Sequence, residues 1–517
     1  MRQGSLQCRP PASGAWGNGD ATISRAVLLL LIALAGLVAY RAAVQSITYD
    51  EAFTYFRFLS GAPSRVFTRY NSNNHVLFSV LARGALALFG ASELTLRLPS
   101  VLAAVVYFGT VWMIAHAAFG SGPLFGLTVA ALTLNPLILD LLVAARGYAL
   151  ALALYSLAMY LLARNLVESA PSARRLIVPS ALLGLSVAAN LTFLFAALAL
   201  VATVMALQLR RARTAQPFDF GFAQAAITLA LPGILTAAVL LAVPLWHSIP
   251  NTFSYGTASL WRSLQSLIEM SFQHDRGAWP PGPERLPPTK LALVLVWTIV
   301  LPTAIAAITI ATRDFLNLRA AQIAASLWLQ LAIGSLMGSI LLMIAAHVVF
   351  AVPYPFGRTA VSLLFLFIAA AAFLAGRLLR SAAAAATLRA SGAVLVVLML
   401  AATARYTAQL QTSYFYDWRF DAGSRQVFDI IANWPVPSDG RRLRVATSPW
   451  LFAPSLNFYR TMRRATHVEE IVDGLVNDLT SYDFIVLSAE VDLSRAQQFG
   501  RVLWVHPVSG AVLLVTN

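Results

Sequence analysis

The sequence predicts an all-α polytopic membrane protein with about eleven transmembrane helices and a small C-terminal soluble α/β domain. Of its 517 residues, 58% are hydrophobic and only 11% are charged, whereas soluble proteins carry roughly 25% charged residues. The apolar residues also form runs of about 20, long enough to cross a bilayer. The chain after residue 405 differs, because its charges are balanced and its apolar runs are short.

The apolar runs place the predicted spans at residues 25–44, 97–118, 122–141, 146–163, 176–191, 192–209, 222–246, 290–312, 322–347, 359–376 and 390–405. Residues 1–24 are rich in glycine, proline and polar side chains, and we expect a disordered cytoplasmic tail there. The first run has no small-residue cleavage site ahead of Asp50, which predicts a retained span rather than a removed signal peptide.

The positions of the arginines predict the orientation in the membrane. With a cytoplasmic N-terminus, the inner loops hold Arg164, Arg174, Arg175, Arg210, Arg211, Arg213, Arg313, Arg319, Arg377, Arg380 and Arg389. Basic inner loops are typical of membrane proteins, so we expect a multi-pass protein of the plasma (inner) membrane. The net charge of +15 is spread over these loops rather than along one stripe, which argues against a nucleic-acid partner. Cys8 is the only cysteine, which excludes a disulfide within the chain.

This orientation predicts three parts of the chain: the tail at 1–24, a transmembrane domain at 25–405 with outer loops 45–96 and 247–289, and an extracytoplasmic α/β domain at 406–517. Four short runs rich in β-branched and apolar residues predict the strands of the last domain, at 443–447, 484–487, 502–505 and 511–515.

Two adjacent acids, Asp50 and Glu51, directly follow the first span. A solvated helix end explains them equally well, since acids are common just outside a membrane. The functional alternative is a general base that removes the proton of an acceptor hydroxyl. Neighbouring residues on a helix point about 100° apart, so the two carboxylates would face different partners.

Other polar residues of the predicted outer face are candidates for substrate binding. His75 follows Asn74, and either serves a substrate or is an ordinary interfacial histidine. Arg146 and Arg358 suit a lipid phosphate, although a snorkelling anchor, or a pairing of Arg146 with Asp140, explains the former as well. Tyr148 and Tyr354 are either substrate contacts or interfacial aromatics. The candidate substrate-binding residues are therefore Asn74, His75, Arg146, Tyr148, Tyr354 and Arg358.

Several outer-loop motifs together resemble the GT-C superfamily, in particular its RgtA/B/C/D-like bacterial glycosyltransferases, which are related to protein O-mannosyltransferases and the lipid A aminoarabinose transferase. The motifs are the acidic pair, the Asn-His pair before an apolar helix, Phe-Gly-x-Ser-Glu at 89–93, Arg-Leu-Pro-Ser at 97–100, Ala-Arg-Gly-Tyr-Ala-Leu at 145–150 and the loop at 353–359. The likeness runs from about residue 49 to 166.

The resemblance implies an enzyme that takes a sugar from a polyprenyl-phosphate donor to a glycan, lipid or protein acceptor on the non-cytoplasmic side, usually with inversion. Matched residue by residue, it implies that Asp50 is the catalytic base, that Glu51 is a second catalytic acid in a supporting role, and that His75 lies near the donor. Some relatives depend on a divalent metal and others do not, so no cofactor follows. A transporter or flippase of a lipid-linked saccharide and a non-catalytic relative in envelope assembly are the alternatives.

Overall fold

The computed structural model describes residues 17–68, 70–167, 173–214, 221–248, 255–273, 289–317, 324–380, 386–472, 481–488 and 497–516. These residues contain nineteen α-helices and four strands, together with short 3-10 and π helices and loops. The helices are α1 (Gly17–Val44), α2 (Tyr49–Thr54), α3 (Arg65–Thr68), α4 (Val76–Phe89), α5 (Glu93–Phe119), α6 (Pro123–Thr133), α7 (Pro136–Val143), α8 (Tyr148–Val167), α9 (Ile177–Ala189), α10 (Phe193–Thr214), α11 (Gly221–Trp246), α12 (Leu260–Phe272), α13 (Lys290–Leu295), α14 (Leu301–Leu316), α15 (Ala324–Phe350), α16 (Val361–Leu379), α17 (Ala386–Ala408), α18 (Ser424–Ala432) and α19 (Ala453–Met462).

The prediction of a polytopic helical membrane protein is confirmed. Within the described ranges, nine helices are long and apolar enough to cross a membrane. They are Ala21–Val44, Glu93–Phe119, Tyr148–Val167, Phe193–Arg210, Phe222–Trp246, Lys290–Leu316, Ala324–Phe350, Gly357–Leu379 and Ala386–Ala408. The helix over Gly357–Leu379 is central, because 89% of its most apolar stretch is buried by its neighbours.

The structure corrects the predicted spans in three places. The run at 122–141 is two helices, α6 and α7, bent by 58° where Asn135 caps Pro136, and it adds a tenth span only if the bent pair is counted as one. The run at 176–191 forms a 13-residue helix of about 20 Å, shorter than the bilayer core of about 30 Å. At the N-terminus, α1 begins at Gly17, so residues 17–24 are helical, while residues 1–16 lie outside the described residues.

A four-stranded sheet confirms the predicted C-terminal α/β domain. Its strands are β1 (Val445–Ser448), β2 (Phe484–Leu487), β3 (Arg501–Val505) and β4 (Val512–Val515), in the order β1-β2-β4-β3. The first two strands are parallel, and β4 pairs antiparallel with both β2 and β3. Helices α18 and α19 belong to the same domain, and α19 packs on α2, which lies in the loop after α1. The domain therefore lies directly on the loop that carries the acidic pair.

Helix α9 and helix α11 approach closely at two glycines, Gly184 and Gly233. A Cβ atom at position 184 would lie 2.0 Å from Oγ1 of Thr236 and 2.2 Å from the carbonyl oxygen of Gly233. Such close helix contacts through small residues are typical of membrane proteins.

We expect Gly184→Ala to lower the stability by roughly 1–3 kcal/mol, because the new methyl group must push α9 and α11 apart. The matched control is Gly36→Ala in α1, where a Cβ atom meets no other atom within 4 Å. Melting temperatures of both variants in detergent test this. Equal melting temperatures would contradict the close contact.

Candidate active site

The acidic pair lies in the first turn of α2, and its position follows from a capping box. The Thr48 hydroxyl accepts a hydrogen bond from the Glu51 backbone N–H (3.3 Å), and the Glu51 carboxylate accepts one from the Thr48 backbone N–H (2.9 Å). The motif Thr-x-x-Glu therefore starts the helix and turns Glu51 back toward the chain. Asp50, one residue earlier, points in another direction.

Glu51 is wholly buried and forms a bidentate salt bridge with Arg97 of α5. Nε of Arg97 donates to Oε1 at 2.9 Å, and Nη2 donates to Oε2 at 2.6 Å. The Ala145 backbone N–H also donates to Oε1 at 2.6 Å. Each of the two carboxylate oxygens thus accepts two hydrogen bonds from protein groups, so Glu51 connects α2 to α5 and to the segment before α8.

Arg97 is saturated in the same way. Its remaining N–H groups donate to the carbonyl oxygens of Ala42, Gln45 and Ser46, at 2.8–3.1 Å, and its guanidinium lies over the ring of Phe415. All five donors of the guanidinium are used. Arg97 begins the Arg-Leu-Pro-Ser motif, and the motif alone predicts no role for it. The signal in the sequence is a charged residue near the start of an apolar helix.

Asp50 is buried among positive and polar groups. Its Oδ2 accepts hydrogen bonds from Nη2 of Arg358 (3.0 Å) and from Nε1 of Trp418 (3.1 Å), and lies 4.0 Å from Nη2 of Arg146. Burial raises the pKa of Asp50, but the two guanidiniums and the indole N–H outweigh it and leave the pKa below its ordinary value. The side chain is therefore ionised at neutral pH.

Arg358 joins Asp50 to a second carboxylate, that of Asp417. Nη1 of Arg358 donates to Asp417 Oδ2 at 2.9 Å, and its guanidinium lies 4.6 Å from the ring centre of Trp418 and 4.9 Å from that of Tyr255. Burial raises the pKa of Asp417, and Arg358 offsets this only in part. Nothing in the local sequence signalled Asp417, Trp418 or Tyr255 as site residues.

Arg146 reaches the same place from the segment between α7 and α8. Its Nη2 donates to Oδ1 of Asn73 (2.8 Å) and its Nη1 to the hydroxyl of Thr54 (3.4 Å). The next residue must be glycine, because a Cβ atom on Gly147 would lie 1.8 Å from the carbonyl oxygen of Ala189. This close approach brings the arginine to the carboxylate.

His75 and Tyr148 form the adjoining wall, with ring centres 5.3 Å apart. Only 5% of the His75 surface is exposed, and neither ring nitrogen forms a hydrogen bond within the described residues. The Ala189 carbonyl lies nearby, outside hydrogen-bonding geometry. Burial, with Arg146 and Arg358 close by, holds the pKa of His75 well below its usual value. The ring is therefore neutral at pH 7.

Two of the predicted substrate-binding residues face protein groups instead. The fully buried Asn74 side chain donates to the Val66 carbonyl (2.9 Å) and accepts from the Ser79 hydroxyl (3.0 Å). The ring of Tyr354 stacks on His347. The structure thus brings Asp50, Arg146, His75, Tyr148 and Arg358 together, and places Asn74 and Tyr354 in the surrounding support.

Asp140 pairs with Arg41. Its Oδ1 accepts from Nη2 of Arg41 at 2.5 Å, and its Oδ2 accepts from the Tyr416 backbone N–H at 2.7 Å. Arg146 faces Asp50, so these contacts do not support the alternative in which an Asp140–Arg146 pair explains both residues.

The C-terminal domain also holds the backbone that leads into α2. The Tyr49 backbone N–H donates to Oδ2 of Asp421 at 2.6 Å, and the Ile47 backbone N–H donates to the Tyr459 hydroxyl at 2.7 Å. The Ser424 hydroxyl donates to the other oxygen of Asp421. These contacts fix the residues on either side of the N-terminal cap of α2.

Among the described residues no group of three or more His, Cys, Asp or Glu side chains could hold a metal ion, so no site for a divalent metal is apparent there. Asp50 faces Arg146 and Arg358, and both guanidiniums would repel a cation placed there.

Comparison with known proteins gives similarity at the level of structure. No protein-family model matches the chain, and no curated protein matches it by sequence. Solved structures similar to it include ArnT from Cupriavidus metallidurans bound to undecaprenyl phosphate, with 15% identity over 94% of this chain and 97% of that chain and a TM-score of 0.39.

Two other solved structures are also similar to this chain. AglB, the oligosaccharyltransferase of Archaeoglobus fulgidus, in complex with an inhibitory peptide and a dolichol-phosphate, has 12% identity over 95% of this chain and 74% of that chain, with a TM-score of 0.43. The arabinosyltransferase EmbB from Mycobacterium smegmatis has 14% identity over 77% of this chain and 42% of that chain, with a TM-score of 0.31. All three are GT-C glycosyltransferases, the superfamily that the motifs resemble. At TM-scores below 0.5 these likenesses assign no activity to this chain.

We expect Glu51→Gln to destabilise the protein by roughly 3–5 kcal/mol, because it leaves the buried Arg97 guanidinium without its counter-charge. The matched control is Glu93→Gln, which breaks a more exposed ion pair with Arg425 and should cost about 1 kcal/mol or less. Thermal unfolding in detergent compares the two. Similar losses in both variants would show that the Glu51–Arg97 pair has no special weight.

The raised pKa of Asp421 predicts that the free energy of unfolding depends on pH. Burial raises its pKa to about 8 in the folded protein, from 3.8 in an unfolded chain. Between these values the folded state holds a proton that the unfolded state has released, so stability falls as pH rises through this window. Asp421→Asn removes the charge and keeps one acceptor oxygen for the Tyr49 N–H, while its amide group can donate to the Ser424 hydroxyl, which reverses the direction of that hydrogen bond.

We therefore expect the melting temperature of Asp421→Asn to rise relative to that of the native protein throughout the range from about pH 4 to about pH 8. Melting curves of both proteins across this range provide the measurement. Parallel curves over the whole range would mean that Asp421 ionises normally.

Proposed function

We propose that this protein is a membrane glycosyltransferase that moves a sugar from a polyprenyl-phosphate-linked donor to an acceptor hydroxyl on the outer face of the plasma membrane, with Asp50 as the general base. The observation that carries the proposal is a buried, ionised carboxylate that faces two buried guanidiniums where α1 gives way to the first loop. A base beside an anion-binding pair is what attack on a phosphate-activated sugar requires.

Arg146 and Arg358 supply the anion site. Guanidinium groups bind phosphate through paired hydrogen bonds and remain charged at any physiological pH. In both side chains Nε is buried and has no partner among the described residues. This spare donor capacity distinguishes them from Arg97, which is saturated and serves the fold. It supports a ligand with several acceptor oxygens, such as a lipid phosphate.

In the proposed reaction, the acceptor hydroxyl gives its proton to Asp50 while its oxygen bonds to the anomeric carbon. The bond from that carbon to the phosphate oxygen breaks, and the polyprenyl phosphate leaves with the electron pair. Attack from the face opposite the phosphate gives inversion. The leaving phosphate needs no strong acid, because the two arginines neutralise its charge.

Binding of the donor would also strengthen the base. In the structure, the two guanidiniums lower the pKa of Asp50, which makes it a weak proton acceptor. A phosphate on Arg146 and Arg358 cancels part of their positive charge, so the pKa of Asp50 rises when the donor is present. We assign Glu51 a positioning role, since its oxygens are occupied, and place neutral His75 and Tyr148 against the sugar or phosphate.

The outer-face location rests on the arginine-rich loops. If α1 begins in the cytoplasm, its C-terminal end at Val44 and the whole site after it face outward. A transporter or flippase would place charged groups along a route through the span centres. In the described spans, the buried pair of Asp314 and Arg377 lies near helix ends instead, which favours an enzyme.

We expect Asp50→Asn to lower turnover by roughly 100- to 10,000-fold, the usual contribution of a general base, with folding intact. The measurement is release of polyprenyl phosphate from a panel of lipid-linked sugars by purified protein. The control is Asp429→Asn, which removes an exposed carboxylate paired with Arg463 and should leave turnover unchanged.

Equal turnover by Asp50→Asn and the native protein would remove Asp50 as the base. Binding of a donor by both proteins without turnover by either would favour a transporter or a non-catalytic protein.

A further inference from the structure

Asp417 and Asp50 share one guanidinium, that of Arg358. Nη1 of Arg358 is occupied by Asp417 and Nη2 by Asp50, while two aromatic rings, of Tyr255 and Trp418, lie against it. Both carboxylates and the guanidinium are nearly buried. Each terminal nitrogen of Arg358 has a second N–H group, but a phosphate that binds there comes close to the negative charge of Asp417 or Asp50, which opposes its binding unless one of the carboxylates gives way.

The charges of the site balance without a ligand. Arg146 and Arg358 contribute two positive charges, Asp50 and Asp417 contribute two negative charges, and His75 is neutral. A phosphodiester would bring one further negative charge into a buried site. Burial of an unbalanced charge costs several kcal/mol, so the donor binds more favourably if one carboxylate leaves or takes up a proton.

Of the two carboxylates, Asp417 is held by fewer partners. Asp50 accepts hydrogen bonds from Arg358 and Trp418, lies 4.0 Å from Arg146, and is needed as the base. The only cation paired with Asp417 among the described residues is Arg358. The raised pKa of Asp417 agrees with this order, because it is the carboxylate that more readily gives up its charge.

The local backbone explains how Asp417 reaches this position. Residues Tyr416–Gly423 form a 3-10 helix that is interrupted at Trp418, where φ is −126° and ψ is 33°. Adjacent residues of a regular helix point about 100° apart. The interruption lets Asp417 and Trp418 face the same guanidinium, one through a hydrogen bond and one through its ring.

We propose that Asp417 is a placeholder for the donor phosphate: it neutralises Arg358 in the empty site and is displaced from Nη1 when the phosphate binds. Asp417 is thus a positioning residue that keeps Arg358 ordered at the cost of donor affinity. This inference rests on the proposed role of Arg358 in phosphate binding. It makes the C-terminal domain a participant in donor binding rather than a separate module.

The test is the affinity of purified full-length protein for radiolabelled undecaprenyl phosphate in detergent. Asp417→Asn should bind it more tightly, by roughly 5-fold or more, which is the lower range of coupling between two sites. A residue that merely supports the fold would weaken binding when replaced. Asp417→Ser is the second variant, in case the amide retains the contact with Arg358, and Asp429→Asn is the control for loss of a carboxylate.

The gain in affinity should depend on Arg358. Arg358→Gln should weaken binding, and the double variant Asp417→Asn/Arg358→Gln should show no gain over Arg358→Gln alone. If Arg358→Gln weakens binding but both Asp417 variants bind no better than the native protein, the placeholder role is overturned and the phosphate role of Arg358 stands. If Arg358→Gln binds normally, both fail.

Discussion

The buried ion pair between Glu51 and Arg97 is the interaction on which the rest of the site depends. One carboxylate and one guanidinium, both without exposure, join the end of α1, the first turn of α2, the start of α5 and the segment before α8. Every donor and acceptor of the pair is used, which offsets the cost of burying two charges. Because Glu51 is fixed in this way, the preceding residue, Asp50, is held so that it points in a different direction from the same helical turn.

The two adjacent acids therefore have different tasks. All hydrogen-bonding groups of Glu51 and Arg97 are used. Around Asp50, by contrast, Arg146 and Arg358 each have a buried Nε without a partner in the described structure. A buried donor without a protein partner requires an explanation, and a ligand with acceptor oxygens is one such explanation for Arg146 and Arg358. The capping box decides which acid takes which task, because it commits the third residue of the helix to the backbone.

The sequence predicts the apolar spans and the four short strands well, because both depend on local patterns of hydrophobic residues. It does not predict that Asn73, rather than Asn74, faces Arg146, since that depends on the turn between them. The contacts of Asp50 with Arg358 and Trp418 join residues more than 300 positions apart. No local pattern contains such a contact, so a motif can point to the base but not to the groups that tune it.

The same charges explain why the C-terminal domain packs on the membrane part. Two buried guanidiniums with Asp50 alone would leave one positive charge in a site of low polarity, which is unfavourable before a ligand arrives. Asp417 supplies the missing negative charge. It comes from the chain beyond the last span, so the membrane helices carry an incomplete site and the C-terminal domain completes its charge. The contacts of Asp421 and Tyr459 with the backbone at Tyr49 and Ile47 then hold the two parts in register.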